Sequence, residues 1–170
     1  LNKLDSAMVA RSLRIAHEAA RAVLGLDSPR IVLAGMNPHA GEGGAFGDEE
    51  ARILIPGMDK AREEWGFETE GPAVPDVVFR EAADGQWDVV VALFHDQAFI
   101  PLRMLNRAQA HTVLVGSPIL RTSPMHGPAC DLAGTGRADC EPFAHAVKKA
   151  MGYVHLPCFR HSTRETVTSS

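Results

Sequence analysis

Two histidines, His39 and His95, each follow an apolar run of the same kind, "IVLAGMNPH" and "VVVALFHDQ". Continuous apolar, β-branched runs of this length suit strands buried on both faces. Residues just beyond such strand ends line the crevice where open α/β sheets bind ligands. Two imidazoles delivered from neighbouring strand ends can meet at one divalent metal. Asp96, next to His95, can add a carboxylate or orient its neighbour from behind. A single histidine in a loop more often does no more than hydrogen-bond that loop. Two in matched positions, one of them inside a glycine-rich turn, favour the metal. That turn, "NPHAGEGGAFGDEE" from Asn37 to Glu50, holds four glycines. It lacks both the Lys-Ser/Thr of a P-loop and the GxGxxG spacing, which argues against a nucleotide phosphate cradle.

Basic residues follow the second histidine. Arg103 and Arg107 come within the next dozen positions, and Arg121 closes a later apolar stretch in "ILRTS". Most arginines are solvated surface. Arg121, placed where an apolar strand ends, can instead clamp a carboxylate or phosphate with both arms of its guanidinium. Further on, "MHGPACDLAGTGRAD" (125–139) contains His126, Asp131 and three glycines. Its spacing alone describes a tight loop entering a helix.

These residues need a scaffold, and the hydrophobic periodicity outlines one. Residues 5–24 place apolar side chains at helical spacing, with Asp5 or Ser6 as the cap and Gly25 as the stop. "RIVLAG" reads as a buried strand. Asp48 opens a helix through Trp65, its first turn carrying Glu49 and Glu50 where the helix dipole favours acids, and Pro56 is expected to kink it. "DVVFREAAD" reads as a short helix, "WDVVVALF" as a second fully buried strand and "HTVLVG" as a third. A last helix is expected over Glu141 to Met151, ended by Gly152, before a polar, disordered tail. Helices alternating with apolar strands point to an α/β fold with a largely parallel sheet. The expected organisation is one structural portion over residues 1–151 and the tail over 152–170.

Composition excludes several classes. At 170 residues the chain has the size of one domain, and 45% hydrophobic with 22% charged residues is ordinary for a globular protein. A net charge of -4 gives no electrostatic reason to expect nucleic acid, and no apolar run suits a membrane span or a signal peptide. Three scattered cysteines form no CxxC pair, which fits a reducing cytoplasm.

Four segments taken together, "NPHAGEGGAFGDEE", "FHDQAFIPLR", "GSPILRTS" and "HGPACDLAGTGRAD", resemble the 4-hydroxythreonine-4-phosphate dehydrogenase family over roughly residues 1–151. That family is related to the isocitrate and isopropylmalate dehydrogenases, and the resemblance implies their α/β fold, its largely parallel sheet flanked by helices. It further implies that His39 and His95 are two of three histidines holding a divalent metal (zinc, magnesium or cobalt) at a homodimer interface with a shared active site. Asp96 takes a catalytic role. Arg103 stands where a substrate-binding lysine is usual, Thr112 where asparagine is usual, and Arg121 matches the substrate-binding arginine. The loop holding His126, Gly127, Ala129, Asp131 and Gly134 resembles the segment that wraps the adenosine end of NAD or NADP. The chemistry implied is oxidation of a secondary alcohol beside a carboxylate, with hydride passing to the nicotinamide and loss of CO2 from the resulting β-keto acid. A phosphorylated hydroxy acid is the implied small-molecule substrate.

Some positions depart from the family pattern. An arginine fork at 103 and a threonine at 112 change the polar lining of the substrate pocket. In the cofactor loop Pro128 replaces a usual threonine and removes a backbone N–H, and Met125 replaces an aspartate. The family's N-terminal half, with a third metal histidine, is not represented, and Leu1 opens abruptly at a helix. Three other readings compete: a truncated, inactive piece serving in binding or assembly, a relative oxidising an unphosphorylated diol, and a metal hydrolase on His39, His95 and Asp96. The last lacks a third-ligand motif such as HExxH.

Overall fold

The computed structural model describes residues 4–105, 109–117, 119–156 and 159. The chain divides into two compact units, Leu1–Met104 and Leu105–Ser170.

The first unit is a three-layer α/β arrangement built on a central strand, β1 (Ile31–Ala34). It pairs in parallel with β2 (Glu70–Ala73) on one side and β3 (Val89–Val91) on the other. All four β1 residues are buried, because alternate side chains feed two separate cores. Ile31 and Leu33 join Val9, Ala10, Leu13, Leu54, Ala61 and Phe67 on the face covered by α1 (Ser6–Ala19) and α2 (Ile55–Trp65). Val32 and Ala34 meet Val78 on the opposite face, covered by α3 (Pro75–Ala83). The expected fold class is what forms.

Local signals explain the helices. Asp5 caps α1 by accepting the Met8 N–H at 2.6 Å, and a π-helical turn over Ala20–Leu24 runs to Gly25, whose φ of 70° stops it. The expected helix from Asp48 to Trp65 forms as two pieces. A π-helical turn (Glu50–Leu54) precedes α2, and the Ile55 N–H bonds to Glu50 O five residues back. Pro56, which has no N–H, falls at this junction of two helical types.

Two strand expectations need correction. The second strand is three residues long and half-buried, not fully buried over 87–94, because β3 is paired on one side only. The strand β2 was not expected at all, since its "EGPA" carries Gly and Pro. It survives as an edge strand with an extra residue between its two register points with β1. At their entrances β1 and β3 are clipped together: Arg30 Nη2 donates to Asp88 Oδ1 at 2.8 Å, and Arg30 N and Nε donate to Asp88 Oδ2 at 2.8 and 3.0 Å. The Arg30 hydrogen bonds hold the Asp88 carboxyl well below the usual carboxylate range, at about 2.

α4 (His95–Leu105) follows β3 and bears Pro101. In the second unit "HTVLVG" does form a strand, β4 (His111–Leu114), but outside any parallel sheet. It pairs antiparallel with β5 (Arg121–Pro124), as the short connection over 115–120 allows. α5 (Glu141–Tyr153) packs on this ribbon, where Thr122 Oγ1 donates to Ala146 O at 3.3 Å. Gly152 lies inside α5 rather than ending it. The polar segment 160–170 lies outside the described residues, as does Cys158, whereas Cys130 and Cys140 are free and exposed. Among the described residues no helix is long and apolar enough to cross a membrane.

The α1–α2 contact yields a direct test. A Cβ added at Gly57 would lie 2.6 Å from Val9 Cβ and 2.9 Å from Ser6 O. Gly57→Ala gains helix propensity, about 1 kcal/mol, yet forces apart two packed helices. A net loss of roughly 1–2 kcal/mol in denaturant unfolding is expected. A stabilised Gly57→Ala protein would show that the two helices are not closely packed there.

Candidate active site at the ends of two parallel strands

β1 and β3 run side by side in register, Ile31 beside Val89 and Leu33 beside Val91. Their exits therefore lie next to each other at the carboxyl edge of the sheet. The carboxyl edge of a parallel sheet is where ligands bind in such folds. His39 follows the first exit and His95 the second.

At the first exit the N–H groups of Gly35, Met36 and Asn37 and the Gly35 carbonyl are each fixed by a partner from elsewhere in the chain. Gly35 N donates to Ala73 O at 2.7 Å, and Gly35 O accepts from Gln97 Nε2 at 2.8 Å. Met36 N and Asn37 N both donate to Glu50 Oε1 at 2.8 Å. The Asn37 side-chain amide donates to Glu50 Oε2 and Glu49 Oε2, each at 2.8 Å. Glu50 is only 6% exposed, the one buried charged residue among those described. Burial pushes its carboxyl up, but hydrogen bonds from the Asn37 backbone and side chain, its own N–H and the Met36 N–H outweigh that. The result is a value below the ordinary 4.5.

Anchored in this way, the chain makes a left-handed turn. His39, Ala40, Gly41, Glu42 and Gly43 have φ of 53°, 52°, 82°, 41° and 64° in succession. For the three non-glycine residues this conformation costs about 1–2 kcal/mol each. Ala40 N to Asn37 O (3.1 Å), Ala45 N to Glu42 O (3.3 Å) and Phe46 N to Gly41 O (3.2 Å) offset part of that cost. Gly41 and Gly47 are required by space as well as by φ. A Cβ on Gly41 would lie 2.8 Å from Glu50 Oε2, and one on Gly47 2.5 Å from Asn37 Nδ2. Strain of this size persists only where the surroundings over-determine it, which is typical of functional loops. The turn leaves the His39 ring exposed and leaning on Phe46, centroids 5.5 Å apart.

At the second exit His95 opens α4. Its Nδ1 lies 2.9 Å from Asp96 Oδ1, and its ring stacks on Phe99 at 4.1 Å. The Arg103 guanidinium lies 5.8 Å from the centroid of the same Phe99 ring, so His95, Phe99 and Arg103 form a column along successive turns. Gln97 reaches back from this helix: its Oε1 accepts from Leu93 N and Phe94 N at 3.0 Å, and its Nε2 donates across to Gly35 O.

His39, His95, Asp96 and Arg103 thus share the first unit. Thr112, Arg121 and the His126–Gly134 loop belong to the second, and Arg107 lies outside the described residues. Arg121 is exposed at the start of β5 opposite Leu114. Thr112 Oγ1 is taken up by Ser123, 3.1 Å from its Oγ and 3.3 Å from its carbonyl. His126 Nδ1 contacts Gly127 O at 2.9 Å, and Ala129 (φ 50°) and Gly134 (φ 74°) are left-handed corners around a helical turn holding Asp131. All five loop residues are exposed, while Met125 before them is 7% exposed.

The donor set suits a divalent cation in kind. A metal-binding imidazole is typically held at one nitrogen by a carboxylate and binds through the other, and Asp96 on His95 Nδ1 supplies that pattern. Among the described residues no three His, Cys, Asp or Glu side chains come together as a metal shell. Sequence reasoning missed the structural parts of the site. Glu50 reads as a helix-dipole residue and Gln97 as an unremarked polar position. The one available signal was Gln97 at the third residue of a helix whose preceding residue, Phe94, cannot cap it.

The sequence profile of the family described as "Pyridoxal phosphate biosynthetic protein PdxA" matches residues 1–150. The chain is 44% identical over 143 residues to the 4-hydroxythreonine-4-phosphate dehydrogenase of Desulfosudis oleivorans, covering 84% of this chain and 42% of that protein. It is 46% identical over 151 residues to the D-threonate 4-phosphate dehydrogenase of Salmonella typhimurium, covering 89% and 46%. The crystal structure of 4-hydroxythreonine-4-phosphate dehydrogenase from Klebsiella pneumoniae superposes with a TM-score of 0.78 at 41% identity, over 89% of this chain and 45% of that one. The chain therefore spans less than half the length of the relatives it matches.

The Glu50 network makes a pH-dependent prediction. A carboxyl held below its unfolded value stabilises the fold above about pH 4.5 and loses that contribution as pH falls through the lower, folded value. Glu50→Gln should cost roughly 1.5–3 kcal/mol at pH 7, as for hydrogen bonds to a charged group. The gap to the unaltered protein, read by urea unfolding, should close as pH drops below 4.5. A gap independent of pH would mean that the Glu50 charge contributes nothing.

Proposed function

The chain belongs to the pyridoxal phosphate biosynthetic protein PdxA family, and on that premise we propose that it forms part of an NAD- or NADP-dependent dehydrogenase. The substrate class is a phosphorylated hydroxy acid such as 4-hydroxythreonine 4-phosphate, oxidised at a secondary alcohol and then decarboxylated. One observation carries the reading: His39 and His95 leave adjacent exits of hydrogen-bonded parallel strands, with Asp96 on His95 Nδ1. Names of relatives that act on 4-hydroxythreonine 4-phosphate and D-threonate 4-phosphate support the substrate class.

In this reading His39 and His95 contribute two donors to a divalent zinc, magnesium or cobalt ion, with further donors from outside these 170 residues. When bound, such an ion would supply Lewis-acid chemistry at the substrate alcohol. The protein's own groups do the rest. Asp96 holds the His95 ring in one tautomer, which keeps Nε2 as the donor atom. Arg103, kept over Phe99, presents a planar fork to the substrate's anionic groups, and Arg121 offers a second such fork. Thr112 belongs to the substrate-binding set, its hydroxyl engaged by Ser123. The exposed loop of His126, Gly127, Ala129, Asp131 and Gly134 takes the adenosine end of the nicotinamide cofactor.

The test is turnover by the full-length protein carrying these residues, with NAD or NADP and a panel of phosphorylated hydroxy acids. NADH or NADPH formation is expected with that protein, and none from the 170-residue chain alone. In the active protein Arg121→Ala should raise the KM for a phosphorylated substrate about tenfold or more, the equivalent of a charge-assisted hydrogen bond. An unchanged KM would return Arg121 to ordinary surface.

A further inference from the structure

We propose that Gln97 is the positioning residue that sets the separation of His39 and His95. The idea rests on the reading of those histidines as donors to one cation, and adds what holds them in place. His39 belongs to a turn hung from β1, and His95 to a helix hung from β3. In the first unit the Gln97 side chain joins the two exits directly. Its Oε1 accepts from Leu93 N and Phe94 N, the last residues before α4, and its Nε2 donates to Gly35 O, immediately after β1.

The residue type carries the inference. Gln97 is the third residue of α4, where a side chain reaching back to the N-terminal N–H groups caps a helix. Glutamate serves that purpose as well as glutamine, and its charge is favoured at a helix N-terminus. A carboxylate, however, has no proton to give to Gly35 O. Only the amide both caps α4 and ties it to β1, and the three bonds fix which end of the amide is which: oxygen toward two N–H groups, nitrogen toward a carbonyl. Gly35 is equally committed on its other side. Its N–H goes to Ala73 on β2, and a Cβ there would lie 3.1 Å from both Ala40 Cα and Ala73 O. The carbonyl that Gln97 grips is therefore held by the sheet and packed against the residue after His39. A shift of Gln97 moves His95 against His39 and not both together.

The experiment uses the full-length protein carrying these residues, stripped of metal. Zinc affinity is measured by competition with a chromophoric chelator, and the visible spectrum is recorded after loading with cobalt. Gln97→Glu keeps the cap and removes the bond to Gly35. Gln97→Asn keeps both amide functions on a stem one carbon shorter. His39→Ala and His95→Ala test the underlying reading. Both Gln97 variants are expected to weaken zinc about tenfold or more, the range seen when groups orienting metal ligands are lost, and to alter the cobalt bands. Their metal-free unfolding midpoints should fall modestly, as for lost hydrogen bonds, so zinc is titrated under conditions where each variant is folded. Unaltered zinc affinity and cobalt spectrum in either folded Gln97 variant, with zinc lost in both histidine variants, overturns the role of Gln97 and leaves the metal reading standing. Unaltered affinity in both histidine variants overturns the metal reading and the inference with it.

Discussion

The Glu50 carboxylate accepts the N–H groups of Met36 and Asn37 on one oxygen and the Asn37 amide on the other, in an environment almost closed to water. Removing those bonds would leave buried donors without partners, each costing about 1–3 kcal/mol, more than the turn they support could recover by relaxing. This gives the left-handed segment His39–Gly43 its stability. The segment is unfavourable in itself and has one tight point of suspension. Because Glu50 also begins the helical stretch that leads into α2, the turn is tied to the main core through Leu54 and Ala61. The loop that carries His39 is thus linked through Glu50 to an element of the main core.

The first sheet is fastened at both ends of the same strand pair. At the entrances Arg30 and Asp88 form an exposed ion pair with two side-chain bonds and one backbone bond, and at the exits Gln97 grips Gly35. The two fasteners differ in kind. The first is an ionic clip open to salt and solvent. The second is a neutral amide, partly buried, whose bonds do not depend on ionic strength. The entrances are thus joined by an ion pair and the exits by an amide.

What the sequence made legible follows from how local each signal is. β1 was readable because both faces of the strand are buried, so every residue in "IVLA" is apolar. α1 was readable from its cap and stop, Asp5 and Gly25. The matched exits of the two histidines were readable because each follows its own strand. β2 was hidden, since the Gly71–Pro72 pair that suits an edge strand is a turn signal in isolation. β5 was hidden because "RTSP" earns its place only by pairing with β4. Glu50 and Gln97 were hidden for a deeper reason. Their long-range partners include backbone groups, Asn37 N for Glu50 and Gly35 O for Gln97, which carry no sequence identity.

Asn37 stands at the centre of the Glu50 network, and the residue after it is Pro38. Asparagine side chains age by deamidation when the backbone nitrogen of the following residue attacks the amide carbon, and glycine-rich loops are where this goes fastest. Proline has no N–H to deprotonate, so that cyclisation is closed at Asn37 although the turn beyond it is full of glycine. The arrangement therefore has a chemical lifetime as well as a thermodynamic one. The amide that bridges Glu49 and Glu50 is shielded from conversion to a carboxylate, which would set a third acid against those two.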